Sequence, residues 1–131
     1  MNLKQKKAKP NSRYWKGKAD EEWARQIKAV GACEICSRSD RQLNAHHIIN
    51  RTRLRFRHDL SNGVCLCSHC HAFSSEVSPH LGLASNDGFR SWFRRNRRGQ
   101  FEWFQINKDD KRKPEITYRE AYERLKGEQG V

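Results

Sequence analysis

The sequence is poor in several residue types, and each shortage excludes a class of protein. Its 131 residues include three prolines and one methionine, and only 35% are hydrophobic. It has no run of about 18 apolar residues, the length that a membrane-spanning helix needs. Acidic residues number 15 against 27 lysines and arginines, which gives a formal net charge of +12. These values predict one small domain without a membrane span and with a polyanionic partner.

A signal for secretion is also lacking, and this bears on the cysteines. No apolar run follows the basic N-terminus, so we expect an unsecreted, cytoplasmic protein. The five cysteines are an odd number, which argues against a disulfide framework and for reduced thiols. Metal binding is then the leading use of the sulfur atoms.

Charge distribution divides the chain into a basic arm and one domain. Residues 1–19 carry seven lysines and arginines and no acidic residue, which predicts a mobile arm with Tyr14 and Trp15 docked. Such an arm either contacts nucleic acid or only aids solubility. Residues 20–131 are expected to form the single domain, with a core at 33–80 and an extension at 81–131. The oligomeric state stays open.

Capping residues predict three helices. Asp20 is expected to cap a helix that ends at Val30, and Asp87 a second one that Gly99 closes. The last helix follows a capping box that begins at Thr117.

Between and after these helices, shorter patterns predict strands. Residues 44–50 and 63–67 are expected to be two paired strands, followed by a helix over 68–77. Alternating apolar residues predict one more strand at 101–106.

Two C-x-x-C pairs form the strongest motif in the sequence. Cys33 and Cys36 are separated by 30 residues from Cys67 and Cys70. Each pair places two thiolates on one side of a tight turn, and two such turns supply the four ligands of tetrahedral zinc. Cys65 is left over and is assigned to packing. We therefore expect a structural Zn²⁺ at the four paired cysteines.

Polar residues of catalytic type lie inside and directly after this predicted zinc loop. His46 and His47 are adjacent, Asn62 precedes the second strand, and His71 follows the last cysteine. Hydrolysis of a phosphodiester requires a cation to neutralise developing charge and a base to deprotonate water. Adjacent strand residues point to opposite faces, so one of the two histidines can face a metal while the other acts elsewhere.

The segments CEIC, AHHII and DLSNGVCLCSHCH resemble the HNH endonucleases, the ββα-metal or His-Me finger family. The resemblance is to the four-cysteine, zinc-bearing branch that is common in phages and prophages. It implies an α+β fold in which a hairpin and a helix grip one catalytic cation. It also implies DNA as the usual substrate.

The resemblance also implies residue roles. His46 stands at the position of the first metal ligand, and His47 at that of the general base. Asn62 matches the asparagine that braces the loop, and His71 matches the second metal ligand. His80 is a candidate further ligand downstream of the helix. The cation could be Mg²⁺, Mn²⁺, Ni²⁺ or Zn²⁺, because histidine ligands accept all four.

Two groups of arginines are candidate phosphate contacts. Four recur at every second position between the predicted strands, which in an extended chain would place them on one face. A second group lies in and after the helix that Asp87 is expected to begin. The candidate nucleic-acid-binding residues are Arg51, Arg53, Arg55, Arg57, Arg94, Arg95, Arg97 and Arg98. The neighbouring aromatic residues are expected to be core.

The combined prediction is a small α+β, ββα-metal core with a four-cysteine structural zinc, flanked by helices and a short C-terminal strand and helix. The predicted function is metal-dependent endonucleolytic cleavage of DNA with weak sequence preference. Two alternatives stay open at this point. One is a nuclease specific for branched DNA or RNA, and the other is a zinc-ribbon nucleic-acid-binding protein without catalysis, which would leave the paired histidines unexplained.

Overall fold

The structure is a computed structural model that describes residues 2–73 and 82–129. Its helices and strands are α1 (Leu3–Ala8), α2 (Arg13–Lys28), β1 (Leu43–His47), β2 (Gly63–Cys67), α3 (Gly82–Asn96), α4 (Arg98–Asn107) and α5 (Tyr118–Gln129). A 3-10 turn, Leu60–Asn62, precedes β2, and a π-helical turn, His69–Phe73, follows it. The predicted α+β class is confirmed. No helix in the described ranges is long and apolar enough to cross a bilayer.

The two strands pair as an antiparallel hairpin, as predicted. In the register of this hairpin His47 lies opposite Gly63. The first strand ends at His47, although the sequence predicted that it would extend over 44–50. It ends early because the N–H and C=O of Ile49 form hydrogen bonds with the side chain of Asn62, so neither group can pair with a neighbouring strand.

The hydrophobic core lies between β2, the cysteine turns and α3. Phe93 of α3 is buried against Phe101 and Phe104 of α4, with ring centroids 5.8 and 6.3 Å apart respectively. Phe89 and Phe93 are therefore core, as predicted, and Phe101 and Phe104 pack half-buried against them. The strand predicted at 101–106 is wrong, because positions three apart share a face only in a helix, and both rings must contact Phe93.

Two helices begin earlier than the capping signals predicted. The second helix begins at Arg13, after Ser12, so Asp20 lies in mid-helix and caps nothing. In these first turns Trp15 packs on Tyr122 of α5, with ring centroids 5.8 Å apart. Charge predicted a mobile arm over residues 1–19 with Trp15 docked, and in the structure helices occupy 3–8 and 13–19 of this segment, because packing adds contacts that charge does not reveal. The third helix includes Asp87 five residues after its start at Gly82.

The C-terminal helix begins where the sequence predicted. The N–H of Glu120 donates to Oγ1 of Thr117 at 3.1 Å, and the N–H of Thr117 donates to a carboxylate oxygen of Glu120 at 3.3 Å. The helix α5 packs on α2, where Nε2 of Gln26 donates to the carbonyl of Leu125 at 2.7 Å. The helix predicted over 68–77 is present as the π-helical turn, and residues 74–77 lie outside the described ranges.

Gly63, at the start of β2, is a point of close approach between α2 and the hairpin. A Cβ atom at this position would lie 2.6 Å from Cγ1 of Ile27 and 2.8 Å from Cζ2 of Trp23. We expect Gly63→Ala to lower the free energy of unfolding by about 1–3 kcal/mol, as overpacking does. Gly17→Ala is the matched control, because a Cβ on this residue of α2 meets no atom within 4 Å.

The control should stabilise α2 by about 0.5–1 kcal/mol, since alanine is the better helix former. Urea unfolding followed by circular dichroism measures both variants. Equal midpoints for Gly63→Ala and the wild-type protein would contradict the close approach of α2.

Candidate active site

The four paired cysteines form a single cluster. The sulfur atoms of Cys33, Cys36, Cys67 and Cys70 all lie within 4.8 Å of one another. The Sγ atoms of Cys36 and Cys67 are 3.7 Å apart. Four thiolates around a tetrahedral ion at Zn–S distances of about 2.3 Å would be separated by about 3.8 Å. The cysteines are therefore positioned to hold one tetrahedral metal ion with sulfur ligands, such as zinc.

The fifth cysteine differs from the cluster in both position and acidity. Cys65 is fully buried on β2 and packs in the core, as predicted. Burial raises the pKa of its thiol to about 11, so it stays protonated. Burial also opposes ionisation of Cys67, but hydrogen bonds from the N–H of Cys70 and from Arg41 outweigh it and lower the pKa of Cys67 to about 6. Arg41 is a residue that the sequence gave no reason to single out.

The hairpin and the turn that follows it bring His46 and His71 together. Nδ1 of His46 lies 3.2 Å from Nε2 of His71, and the ring of His46 also meets that of Phe89 with centroids 5.7 Å apart. Two nitrogens that bind one cation at about 2.0–2.1 Å would be about 2.9–3.4 Å apart. The pair therefore fits two ligands of a single cation.

His47 lies on the opposite face of β1, as strand alternation requires. Its Nε2–H donates to the carbonyl of Arg57 at 2.9 Å, so the Nδ1 atom keeps its lone pair. The ring stacks on the indole of Trp23 with centroids 3.9 Å apart and an interplanar angle of 9°. Burial lowers the pKa of His47, which favours the neutral imidazole that accepts a proton.

Asn62 ties together the segment that supplies this carbonyl. The residue is fully buried, and its side chain accepts from the N–H of Ile49 at 2.6 Å. Its amide donates to the carbonyls of Ile49 and Phe56, each at 3.0 Å. All these bonds lie within the connection between β1 and β2. The Asn62 side chain therefore joins the start and the middle of this connection to its end.

Removing the Asn62 side chain should loosen this connection. We expect Asn62→Ala to lower the free energy of unfolding by about 2–4 kcal/mol, because three buried backbone groups lose their partner. Asn50→Ala is the matched control, since Asn50 is exposed and its side chain bonds only to Thr52 among the contacts described. Urea unfolding gives both values, and a loss below 1 kcal/mol for Asn62→Ala would contradict the bracing role.

Two residues of α2 support the His47 site and were not recognised as site residues in the sequence. Asp20 accepts two hydrogen bonds from Arg57, at 2.8 and 2.9 Å, and one from His58 at 2.6 Å. Burial raises the pKa of Asp20, but these partners hold it well below its usual range. Trp23 donates its indole N–H to the carbonyl of Asp59 at 2.8 Å. Asp20 and Trp23 are three residues apart, which places them on the same face of a helix, and this spacing is the only sign in the sequence that they act together.

The arginines between the strands do not form one extended face. The connection folds as a series of turns, and three of the four guanidiniums bond within the chain. Arg53 donates to the carbonyl of Asp110, Arg55 to Glu115 at 3.0 Å, and Arg57 to Asp20. These three arginines therefore help to fix the connection on its neighbours.

The remaining predicted residues are dispersed. Arg51 is exposed, as are Arg94, Arg95 and Arg98, whereas Arg97 donates to Glu34 at 2.8 Å. His69 is exposed, and His80 lies outside the described residues.

Comparison with known families agrees with this geometry. The hairpin and the helical turn after it carry the paired histidines beside the four-cysteine cluster, so two sets of potential metal ligands lie together. Residues 33–73 match the family model described as HNH endonuclease. The match covers about a third of the chain and includes both cysteine pairs, both strands and all four central site residues. Searches of curated proteins and of solved structures gave no match.

Proposed function

We propose that this protein is a metal-dependent endonuclease that hydrolyses phosphodiester bonds in DNA. The single observation that carries the proposal is the arrangement on β1. One face of the strand presents His46 beside His71, and the other presents His47 as an oriented neutral imidazole. A cation site next to a general base is what phosphodiester hydrolysis needs.

In this proposal His46 and His71 hold the catalytic cation. Their nitrogen atoms have the separation that two ligands of one ion require. When bound, the cation supplies Lewis-acid stabilisation of the charge that develops on the phosphate. His80 stays a prediction as a third ligand. The four cysteines hold a structural Zn²⁺ that ties the segment before β1 to the end of β2.

His47 is the residue that moves a proton. Nδ1 of its ring takes the proton of the attacking water, while Nε2–H stays bonded to the carbonyl of Arg57. Trp23 keeps the plane of the ring fixed by stacking. Asn62 acts through the connection, because it binds the carbonyl of Phe56, the residue before Arg57. A base held in one orientation loses little freedom in the transition state.

The exposed arginines are proposed to contact phosphates. Exposure supports this role most directly for Arg51, Arg94, Arg95 and Arg98. The guanidiniums of Arg53, Arg55, Arg57 and Arg97 already form hydrogen bonds within the chain, so a phosphate would have to bind their remaining N–H donors. A phage or prophage origin stays a prediction from the resemblance.

Nicking of supercoiled plasmid tests the proposal. The purified protein, loaded with zinc, is incubated with Mg²⁺, with Mn²⁺ and without added cation. Chelators are avoided because they would also remove the structural metal. We expect nicking that depends on the added cation. Salt-sensitive binding without cleavage in any cation would instead support the zinc-ribbon binding protein, and a preference for branched or RNA substrates would support the structure-specific nuclease.

A further inference from the structure

Seven cations at the N-terminal end of the molecule have no part in the proposed active site. We call them the N-terminal basic surface: Lys4, Lys6, Lys7, Lys9, Arg13, Lys16 and Lys18. Among residues 2–71 and 88–127, no carboxylate forms an ion pair with any of them. The ion pairs of the described residues engage arginines and His58 but no lysine, so this surface is set apart by density: its seven cations fall within residues 4–18, where the sequence has no carboxylate. The N-terminal charge is therefore uncompensated within the described chain.

This surface is attached to the fold, so the helices that carry its charges are held in place. Oγ of Ser12 donates to the carbonyl of Lys6 at 2.7 Å, and the indole N–H of Trp15 donates to the carbonyl of Lys7 at 2.9 Å. The backbone N–H of Tyr118 donates to Oδ1 of Asn11 at 3.1 Å. These bonds join α1 to α2, and the turn between them to the start of α5. A held cation loses less conformational freedom on binding than one on a free tail.

The lysines of α1 and α2 also converge. Nζ of Lys7 lies 5.3 Å from the ring centroid of Tyr14, and Nζ of Lys18 lies 6.0 Å from the same centroid. Nζ of Lys16 lies 5.9 Å from the ring centroid of Tyr118. Cation–π contacts offset only part of the repulsion between neighbouring ammonium groups. An anionic partner at this surface would offset the remaining repulsion between the ammonium groups.

The helix α2 connects this surface to the proposed general base. Lys16, Asp20 and Trp23 recur at i, i+4 and i+7 and therefore share one face of the helix. Trp23 stacks on His47. Lys16 and Trp23 are about 10 Å apart along the helix axis at 1.5 Å per residue. That distance equals about three nucleotides at 3.4 Å per base step.

We propose that the N-terminal basic surface binds the sugar–phosphate backbone of the same DNA duplex, about three or more nucleotides from the bond that is cut. The proposal rests on the proposed nuclease function, which supplies the position of the cut. A lipid surface fits less well, because α1 is a six-residue helix of sequence LKQKKA without an apolar face. The partner is therefore a nucleic acid.

Salt-dependent binding to a duplex tests this proposal. The test variant is K4Q/K7Q/K18Q, and K108Q/K111Q/K113Q is a control with the same change in charge in the segment after α4. Affinity for a 30-base-pair duplex is measured by fluorescence anisotropy from 50 to 300 mM salt, with zinc-loaded protein and no added catalytic cation. Each lost phosphate contact should reduce the slope of log K against log salt by about 0.9.

We expect the slope of the test variant to fall by about two to three and that of the control by less than one. Equal slopes in the two variants, or a test slope equal to wild type, would overturn the proposal. A second variant, K4Q/K6Q/K9Q, changes only exposed side chains and guards against misfolding, which circular dichroism also checks. Tighter, N-terminus-dependent binding to phosphatidylserine vesicles than to DNA would assign the surface to a membrane.

The two proposals fail separately. Wild-type protein that binds DNA through the N-terminal basic surface but never nicks plasmid would overturn the nuclease and leave DNA binding in place. Wild-type protein that nicks plasmid while the slopes stay unchanged would overturn only the role of this surface.

Discussion

Replacing His47 by alanine should reduce the rate of plasmid nicking by about 10²–10⁴-fold, the contribution of a positioned general base. The physical reason is that His47 is held as a neutral ring, with Nε2–H bonded to the carbonyl of Arg57 and Nδ1 able to accept a proton. Alanine has no such group. Affinity for DNA should change little, because the loss falls on the chemical step. Single-turnover nicking in Mn²⁺ and anisotropy without added cation measure the two effects.

His69→Ala is the matched control for this experiment. His69 is exposed on the turn after β2, two residues from His71, and no catalytic role is proposed for it. Its variant should nick at close to the wild-type rate. Undiminished nicking by His47→Ala would rule out His47 as the base. Loss of DNA binding in parallel with nicking would point instead to a structural role for His47, through its stacking on Trp23.

Removing one cysteine of the cluster should have the largest effect on stability. In Cys36→Ser the bound metal loses one of its four ligands, although the changed side chain is exposed. A structural zinc contributes about 10–16 kcal/mol in small domains, whereas a whole domain is stable by only about 5–15 kcal/mol. We expect the variant to purify with little zinc and to lose cooperative unfolding, or to unfold at least about 15 °C lower.

Cys65→Ala separates metal binding from packing. Cys65 is buried two residues before Cys67 but lies outside the four-sulfur cluster. Its variant should keep about one zinc ion per chain and lose about 1 kcal/mol of stability, since only a small buried group is removed. Elemental analysis measures the zinc content of both variants, and thermal unfolding measures their stability. Full zinc content in Cys36→Ser would contradict the four-cysteine site.

Local spacing was enough to predict the parts of the fold that are set by neighbouring residues. The second strand at 63–67 and the capping box of Thr117 and Glu120 were confirmed, because turn and cap chemistry acts over a few positions. The strand at 101–106 was wrong because a pattern over six residues does not distinguish a strand from nearly two turns of a half-buried helix. Packing of Phe101 and Phe104 on Phe93 decides that question.

The candidate site divides in the same way. His46, His47, Asn62 and His71 could be named from their order in the chain, since they lie within or next to the span between the cysteine pairs. Their supporting residues could not. Asp20 was predicted to cap a helix, and instead it binds Arg57 and His58 across 37 and 38 positions of sequence. Contacts of that separation leave no local pattern.

The sequence by itself therefore determined the residue types available for chemistry: four paired cysteines, the histidines near them and a large excess of positive charge. Only the tertiary structure decided which side chains meet. Three arginines between the strands bond within the chain and do not form the predicted face. The N-terminal segment folds as two helices, of which α2 packs on α5. The reason is physical: ligand spacing is a local property, whereas burial and ion pairing depend on the segments that the fold brings together.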